Sequence, residues 1–314
     1  MFEIKTPNEF NNIIDFTRHF KDRETCLEYI EWWRWKGHIR CLYCGHDKIY
    51  RFKLGNKFKC GNCKEYFYTT TGTIFSSTKL PLPKFMLALF LISSHKRGIS
   101  SCQLARDLEI TQKSAWLLGH KIRELLKQDG VKLEGTVSSD ETFVGGKNKN
   151  RHYDKKVLYS HRTTRDSPDK VPVLGMMEKN GSVKTAVIPN TLGDSIIPII
   201  TDSIKEGSRW VTDNYFDVKK LKERYKREVA KHHLYQYKSP RGYSTNNIEN
   251  FWTHFKNMIR GTYYKLSAKH LQRYCDEQTF RFNTRKEKEG SRFALLMERI
   301  SVPLTYNKLV YGQT

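Results

Sequence analysis

No apolar run in this chain is long enough to cross a bilayer. The longest, over residues 85–93, falls well short of the roughly 20 residues a spanning helix needs. The opening residues, Met1-Phe2-Glu3-Ile4-Lys5, lack the apolar core of a secretory leader. No basic amphipathic helix with a sustained apolar face stands out, which ranks a membrane surface low as a partner. Acidic residues are scarce: 33 Asp and Glu face 56 Lys and Arg, a formal charge of +23 in 314 residues. Such an excess repels itself in a compact fold unless a polyanion offsets it, so nucleic acid leads the partner classes. An even cysteine framework is missing too. The seven cysteines are an odd number, and four of them form two close pairs, the pattern of metal thiolates in a reducing compartment. The expectation is a cytoplasmic, nucleoid-associated protein of two or three domains.

What is present begins with two helical patterns, over residues 8–20 (Phe10, Ile13, Ile14, Phe16, Phe20) and 25–35. Trp32, Trp33 and Trp35 in the second are expected to bury area against the next module. That module carries Cys41-Leu42-Tyr43-Cys44-Gly45 and, after fifteen intervening residues, Cys60-Gly61-Asn62-Cys63. Two such knuckles each present a pair of sulfurs, which close a tetrahedral four-thiolate cage suited to structural zinc. Gly45 and Gly61 are expected to permit the knuckle backbone. Residues 48–53 and 57–59 alternate apolar with basic side chains, as a hairpin turning at Gly55-Asn56 would. Cys26, Cys102 and Cys275 have no ligand spacing and read as plain buried thiols.

An apolar helix with Pro83 in its first turn is predicted over 83–94. Next, Ser100 or Ser101 caps a short helix with Leu104, Ala105 and Leu108 inward. After a three- or four-residue turn, Thr111 caps a longer helix over 112–128. This is a helix-turn-helix outline in which Gln112, Lys113 and Ser114 would reach base edges.

From Thr136 the texture turns to strands. Residues 136–147 read as a strand with Asp140 in its interior, on the face opposite to Glu141. Residues 171–178 and 181–188 follow as strands joined at Asn180-Gly181, then a helix over 194–204 and a strand from Ser208 that ends in Asp213. A basic helix over 217–226, a last strand over 231–235 and a helix over 246–260 complete the order. This is the α/β order of an RNase H-like domain, a mixed sheet flanked by helices, preceded by a zinc ribbon and the helix-turn-helix-like segment. In that layout Asp140, Asp213 and Glu249 can converge at one end of the sheet. Hard carboxylate oxygens there suit Mg²⁺ or Mn²⁺, in a pair of ions that activates one oxygen of a phosphodiester and stabilises the other. Lys256, seven residues beyond Glu249 on one helix face, would hold a phosphate, and Arg260 could join it.

Several motifs in order resemble the insertion-sequence DDE transposases of the ISXO-like group. They are Arg34-Trp35 ahead of Cys41 and Cys44, residues 140–147 with Asn150-Arg151-His152, Thr212-Asp213, residues 245–252, and Gly261-Thr262-Tyr263 with residues 270–274. The resemblance implies metal-dependent DNA strand cleavage and transfer, recognition of terminal inverted repeats in double-stranded DNA, and a homodimer or larger assembly on transposon ends and target. It implies DNA contacts at Lys147, Arg151, His152 and Arg260. Ser244 stands where the family often has His. Asn246 and Glu249 both remain candidates for the third catalytic position, with Glu249 favoured because a carboxylate binds Mg²⁺ more strongly than a carboxamide. The implied domains are a helical lead-in (1–36), a zinc ribbon (37–76), a DNA-binding helical segment (77–130), the catalytic domain (131–290) and a C-terminal tail (291–314). A domesticated DNA-binding regulator and a nuclease that does not join strands are the competing readings.

Overall fold

The computed structural model describes residues 10, 12–53, 55–128, 130–146, 152–155, 170–179, 181–213, 221, 223–230, 239 and 241–312. The chain forms two compact units, Met1–Leu126 with Lys286–Thr314, and Lys127–Arg285.

In the first unit, α1 (Ile13–His19) is capped by Asn12, which accepts from the Asp15 N–H, and α2 (Arg23–Trp35) by Asp22, which accepts from Thr25. Helix α1 starts five residues later than its apolar spacing predicts. The Asn12 cap fixes the start, so Phe10 packs from outside the helix while Ile13 and Ile14 face water. The buried rings of Phe10, Phe16, Phe20 and Tyr29 meet Phe90 of α3 (Leu82–Ser94) and Phe293 of α9 (Glu289–Met297). Phe16 lies 4.5 Å from Phe90 and 5.0 Å from Phe293, within the range of favourable ring pairs. The residues read as a tail therefore carry α9 and α10 (Tyr306–Tyr311) and pack within this unit.

The cysteine module is a three-stranded antiparallel sheet, β1 (Ile49–Arg51), β2 (Lys57–Cys60) and β3 (Tyr66–Tyr68), with β2 central. Its inner face stacks Phe58 on Phe67 at 5.4 Å, and Trp35 closes over both at 5.8 and 6.2 Å. Arg34 donates to the Thr69 carbonyl at 2.5 Å, and burial pulls its pKa down to about 10. The Arg34-Trp35 pair is thus the hinge pin between α2 and the sheet. Trp32 and Trp33 are half-buried, each capped by the Lys36 ammonium at 3.8 Å. Helices α4 (Ser101–Leu108) and α5 (Gln112–Leu125) follow with Ser100 and Thr111 as N-caps, joined by Glu109-Ile110-Thr111. Among the unpaired cysteines Cys26 is buried as expected, whereas Cys102 is exposed. It lies two residues, about 200° around the helix, from the buried Leu104 that sets the inner face of α4.

The second unit holds a five-stranded mixed sheet in the order β6-β5-β4-β7-β8. Strands β4 (Thr136–Gly145), β5 (Lys170–Glu178) and β6 (Val183–Val187) are antiparallel neighbours; β7 (Arg209–Asp213) and β8 (Lys226–Ala230) run parallel to β4. One face packs Val137, Leu174, Met176 and Trp210 against Ile196 and Ile200 of α6 (Gly193–Ser203). The other packs Val144, Val173 and Met177 against α7 (Asn246–Met258) and α8 (Leu271–Asn283) through Ile248, Phe251, Trp252, Phe255 and Tyr274. This is the expected RNase H-like arrangement.

Two readings need correction. Among the described residues the last strand is Lys226–Ala230, which Lys226 opens instead of ending a helix. Charged residues hid it, as suits an edge strand whose charges discourage further pairing. Half of the predicted basic helix, the segment 231–235 and Asn180 of the turn lie outside the described residues. Helix α7 stops at Met258 and continues as one π-helical turn, Ile259–Tyr263.

Edge strand β6 is closed by side chains. Asn283 accepts from the Val183 N–H at 2.8 Å and donates to its carbonyl at 3.0 Å. Gln128 does the same at Thr185, at 2.9 and 3.1 Å, and Gln272 accepts from the Val187 N–H at 2.8 Å. Three carboxamides at alternate residues stand in for a sixth strand.

Candidate active site and metal sites

The four sulfurs of Cys41, Cys44, Cys60 and Cys63 lie within 4.8 Å of one another. Cys41 and Cys63 are 3.5 Å apart, Cys44 and Cys60 3.6 Å, close to the roughly 3.8 Å edge of a tetrahedron with 2.3 Å zinc–sulfur bonds. Backbone N–H groups of Tyr43 and Asn62 donate to the Cys41 and Cys60 sulfurs at 3.4 Å. The His46 N–H draws the Cys44 pKa down to about 6. The donor set fits a zinc ion. The glycine expectation is half right. Gly45 takes φ +73°, but at the matching place in the second knuckle Lys64 takes φ +63°. Gly61 is needed for another reason: a Cβ there would sit 2.9 Å from Lys48 Cγ and 3.1 Å from its carbonyl, to which the Gly61 N–H donates.

At the start of α5, Gln112, Lys113 and Ser114 are all exposed. Gln112 Nε2 donates to Ser101 Oγ at 2.8 Å, and the Ser114 hydroxyl shares the Thr111 cap at 2.9 Å. Two of the three expected base-reading side chains are therefore engaged within the motif.

In the sheet, Thr136 stands opposite Arg209 and Ser138 opposite Val211 on the parallel neighbour. The same register carried two residues further sets Asp140 level with Asp213, on the face that α7 covers. Glu249 lies in the first turn of α7 and Lys256 in its last. The four groups share one electrostatic neighbourhood. Burial pushes the Asp140 pKa up to about 6, the charges of Asp213 and Glu249 add to the rise, and the Glu141 N–H and Lys256 oppose it. The Glu249 carboxylate accepts from the Thr245 hydroxyl at 2.8 Å. Asn246 is exposed at the start of the same helix. Among the described residues, the cysteines are the group of three or more potential ligands whose atoms meet at metal-binding range. The carboxylates feel one another's charge without that closure, and a divalent cation would draw them in. Their all-oxygen donor set and mutual repulsion fit such an ion.

Opposite Asp140 on β5 is Gly175. A Cβ there would lie 2.4 Å from Trp252 Cζ2 and 2.9 Å from Ile248 Cδ1. Glycine lets α7 settle onto the sheet beside Asp140, and sequence reasoning missed it. The motif at residues 261–263 and 270–274 also gains a role. Tyr263 donates to Glu277 at 2.6 Å, Glu277 pairs with Arg281 at 2.6 Å in the interior, and the Tyr274 ring meets Tyr263 edge to face at 4.8 Å. That clamp fixes the end of α7. Of the expected DNA contacts, His152 and Arg260 are exposed, while Lys147 and Arg151 lie outside the described residues.

Residues 132–283 match a family model described as ISXO2-like transposase domain, and residues 21–66 one described as transposase zinc-ribbon domain. A protein of Halobacterium salinarum described as an uncharacterized protein in transposable element ISH50 is 25% identical over 163 residues, covering 50% of this chain and 54% of the relative. The chain thus spans about half the length of that relative. No solved structure matches.

Proposed function

We propose, from the match of residues 132–283 to the ISXO2-like transposase domain and of residues 21–66 to the transposase zinc ribbon, that the chain is the transposase of an insertion sequence, which binds the element's terminal inverted repeats and cuts and joins DNA strands. The observation that carries this reading is the meeting of charges at Asp140: two carboxylates from other elements, and a lysine, act on one carboxyl on the central strand. Asp140, Asp213 and Glu249 would hold Mg²⁺ or Mn²⁺, which when bound stabilises charge on the phosphate and makes the attacking oxygen more acidic. The chain's own residues do the rest. Lys256, two turns beyond Glu249, presents a cation to the non-bridging oxygens, and Thr245 keeps one Glu249 oxygen oriented. Glu249 is preferred to Asn246 as the third ligand because its charge reaches Asp140.

Zinc on the four cysteines is structural, since a closed thiolate cage leaves no open position. Lys113, with Gln112 and Ser114, faces the bases in this reading, and Lys147, Arg151, His152 and Arg260 hold phosphates. Joining two ends calls for at least two copies on DNA. The test is transfer of a 3′-hydroxyl end into plasmid with Mg²⁺. Asp140→Asn, Asp213→Asn and Glu249→Gln should each lose roughly a thousandfold or more of the activity, and Asn246→Ala should keep most of it. Full activity in both aspartate variants removes the site, and the reverse result at 246 and 249 moves the third ligand to Asn246. A wild-type protein that binds the ends but never cuts them is a regulator.

A further inference from the structure

The strand register of the cysteine module sorts its side chains into two very different faces. Phe58, Phe67 and Cys60 point inward to Trp35 and the sulfurs. Outward stand two cross-strand rows, Tyr50–Lys59–Tyr66 and Phe52–Lys57–Tyr68, the pairing extended by the Phe52 N–H to Lys57 carbonyl bond at 3.0 Å. The solvent face thus has four aromatic rings on its outer strands and two lysines down its centre. Tyr50, Phe52, Tyr66 and Tyr68 are 53%, 39%, 46% and 44% exposed. The Lys57 ammonium sits 4.7 Å from the Tyr66 ring and 5.2 Å from Phe52, and Lys59 5.1 Å from Tyr66. The neighbouring carboxylates are engaged elsewhere: Glu65 is level with Cys60 in the inward rows, Glu31 pairs with Arg51, and Asp47 lies 3.4 Å from the His46 ring nitrogen. Strand propensity alone accounts for one or two aromatic residues here, since a half-buried pleated surface favours them. It does not account for rings at every outer-strand position of a solvent face, around cations with no acid among them.

We propose that this face binds unpaired DNA, stacking bases on the rings while Lys57 and Lys59 meet the phosphates. A duplex offers phosphates to the lysines, but its base faces are already stacked, so the rings would gain nothing from it. Residues two apart on one strand are about 6.8 Å apart, room for one base on each of Tyr50 and Phe52. An aromatic platform with interleaved cations is the surface that sequence-tolerant single-strand binding uses. The inference rests on the chain's acting on DNA but not on the carboxylate site, so it is tested without magnesium.

The full-length, zinc-loaded protein is titrated against fluorescein-labelled oligothymidylate and against a duplex of equal length. Phe52→Ser with Tyr66→Ser should weaken single-strand binding about tenfold or more and duplex binding by less than about twofold. Lys57→Gln with Lys59→Gln should weaken both and flatten the salt dependence. An aromatic variant that retains zinc and binds single strands like the wild type, or loses both ligands alike, overturns the proposal. The wild-type protein gives an answer that no folding defect can mask. Photocross-linking to bromodeoxyuridine oligomers should place adducts on Tyr50, Phe52, Tyr66 or Tyr68, and adducts wholly elsewhere overturn it. Strand transfer that persists without single-strand binding refutes this platform alone and leaves the carboxylate site standing.

Discussion

Asp140 keeps its proton in the folded protein to about pH 6, well above the ordinary aspartate value, because it is half-buried with Asp213 and Glu249 near it. A carboxyl whose folded pKa is raised binds more protons folded than unfolded between about pH 4 and 6, so stability falls as pH rises through that window. At neutral pH the charged form is a liability that a divalent cation would offset. Asp140→Asn should therefore raise the stability of the metal-free protein at pH 8 by about 1–3 kcal/mol, and abolish the rise in Tm that Mg²⁺ gives the wild type. Thermal melts with and without Mg²⁺ read both; a variant less stable than the wild type without metal refutes the repulsion. At this scale, legibility followed chemistry. Asp140, Asp213 and the cysteines were visible because their residue types are rare in such positions without a partner. Gly175 was not, because its reason is a ring of Trp252 far along the chain. Nor was Lys64, since nothing in its type announces a left-handed backbone.

Elements were legible where the signal is local. The caps at Ser100 and Thr111 and the apolar run of β5 marked their limits to within a few residues. Strand β8 failed that test because its inner positions gain their neighbours from β7 and not from periodicity. The cover on β6 was equally hidden, since a glutamine on a helix carries no mark of the backbone it will serve. That cover has a measurable consequence. Removing Asn283 or Gln128 strips a paired donor and acceptor from the sheet's edge, leaving a strand ready to pair with another molecule. Asn283→Ala and Gln128→Ala should each lower stability by about 1–3 kcal/mol in denaturant melts. Together they should promote association in light scattering. Unchanged melts would mean that water satisfies the edge as well as the amides do.

At the scale of the whole molecule the chain leaves its first unit at Leu126, builds the second, and returns at Lys286 to put Phe293 among the N-terminal rings. Periodicity could not show that return, because the rings of Phe10, Phe16 and Phe293 find each other across almost the full length of the sequence. Net charge, by contrast, was plain from the start, and it sets a condition on both units. With +23 on 314 residues the folded protein repels itself, and salt screens that repulsion over a Debye length near 10 Å at 0.1 M. The same charges bind DNA by displacing its counterions, a gain that salt removes. Salt should thus act in opposite directions on the two properties. From about 50 to 300 mM NaCl the Tm of the free protein should rise by a few degrees, while duplex affinity falls by roughly a thousandfold. A Tm that drops with salt would mean that the basic side chains are already neutralised by acids of the fold. The excess charge would then have no need of a polyanion, and the argument from charge to DNA would fail even with every motif intact.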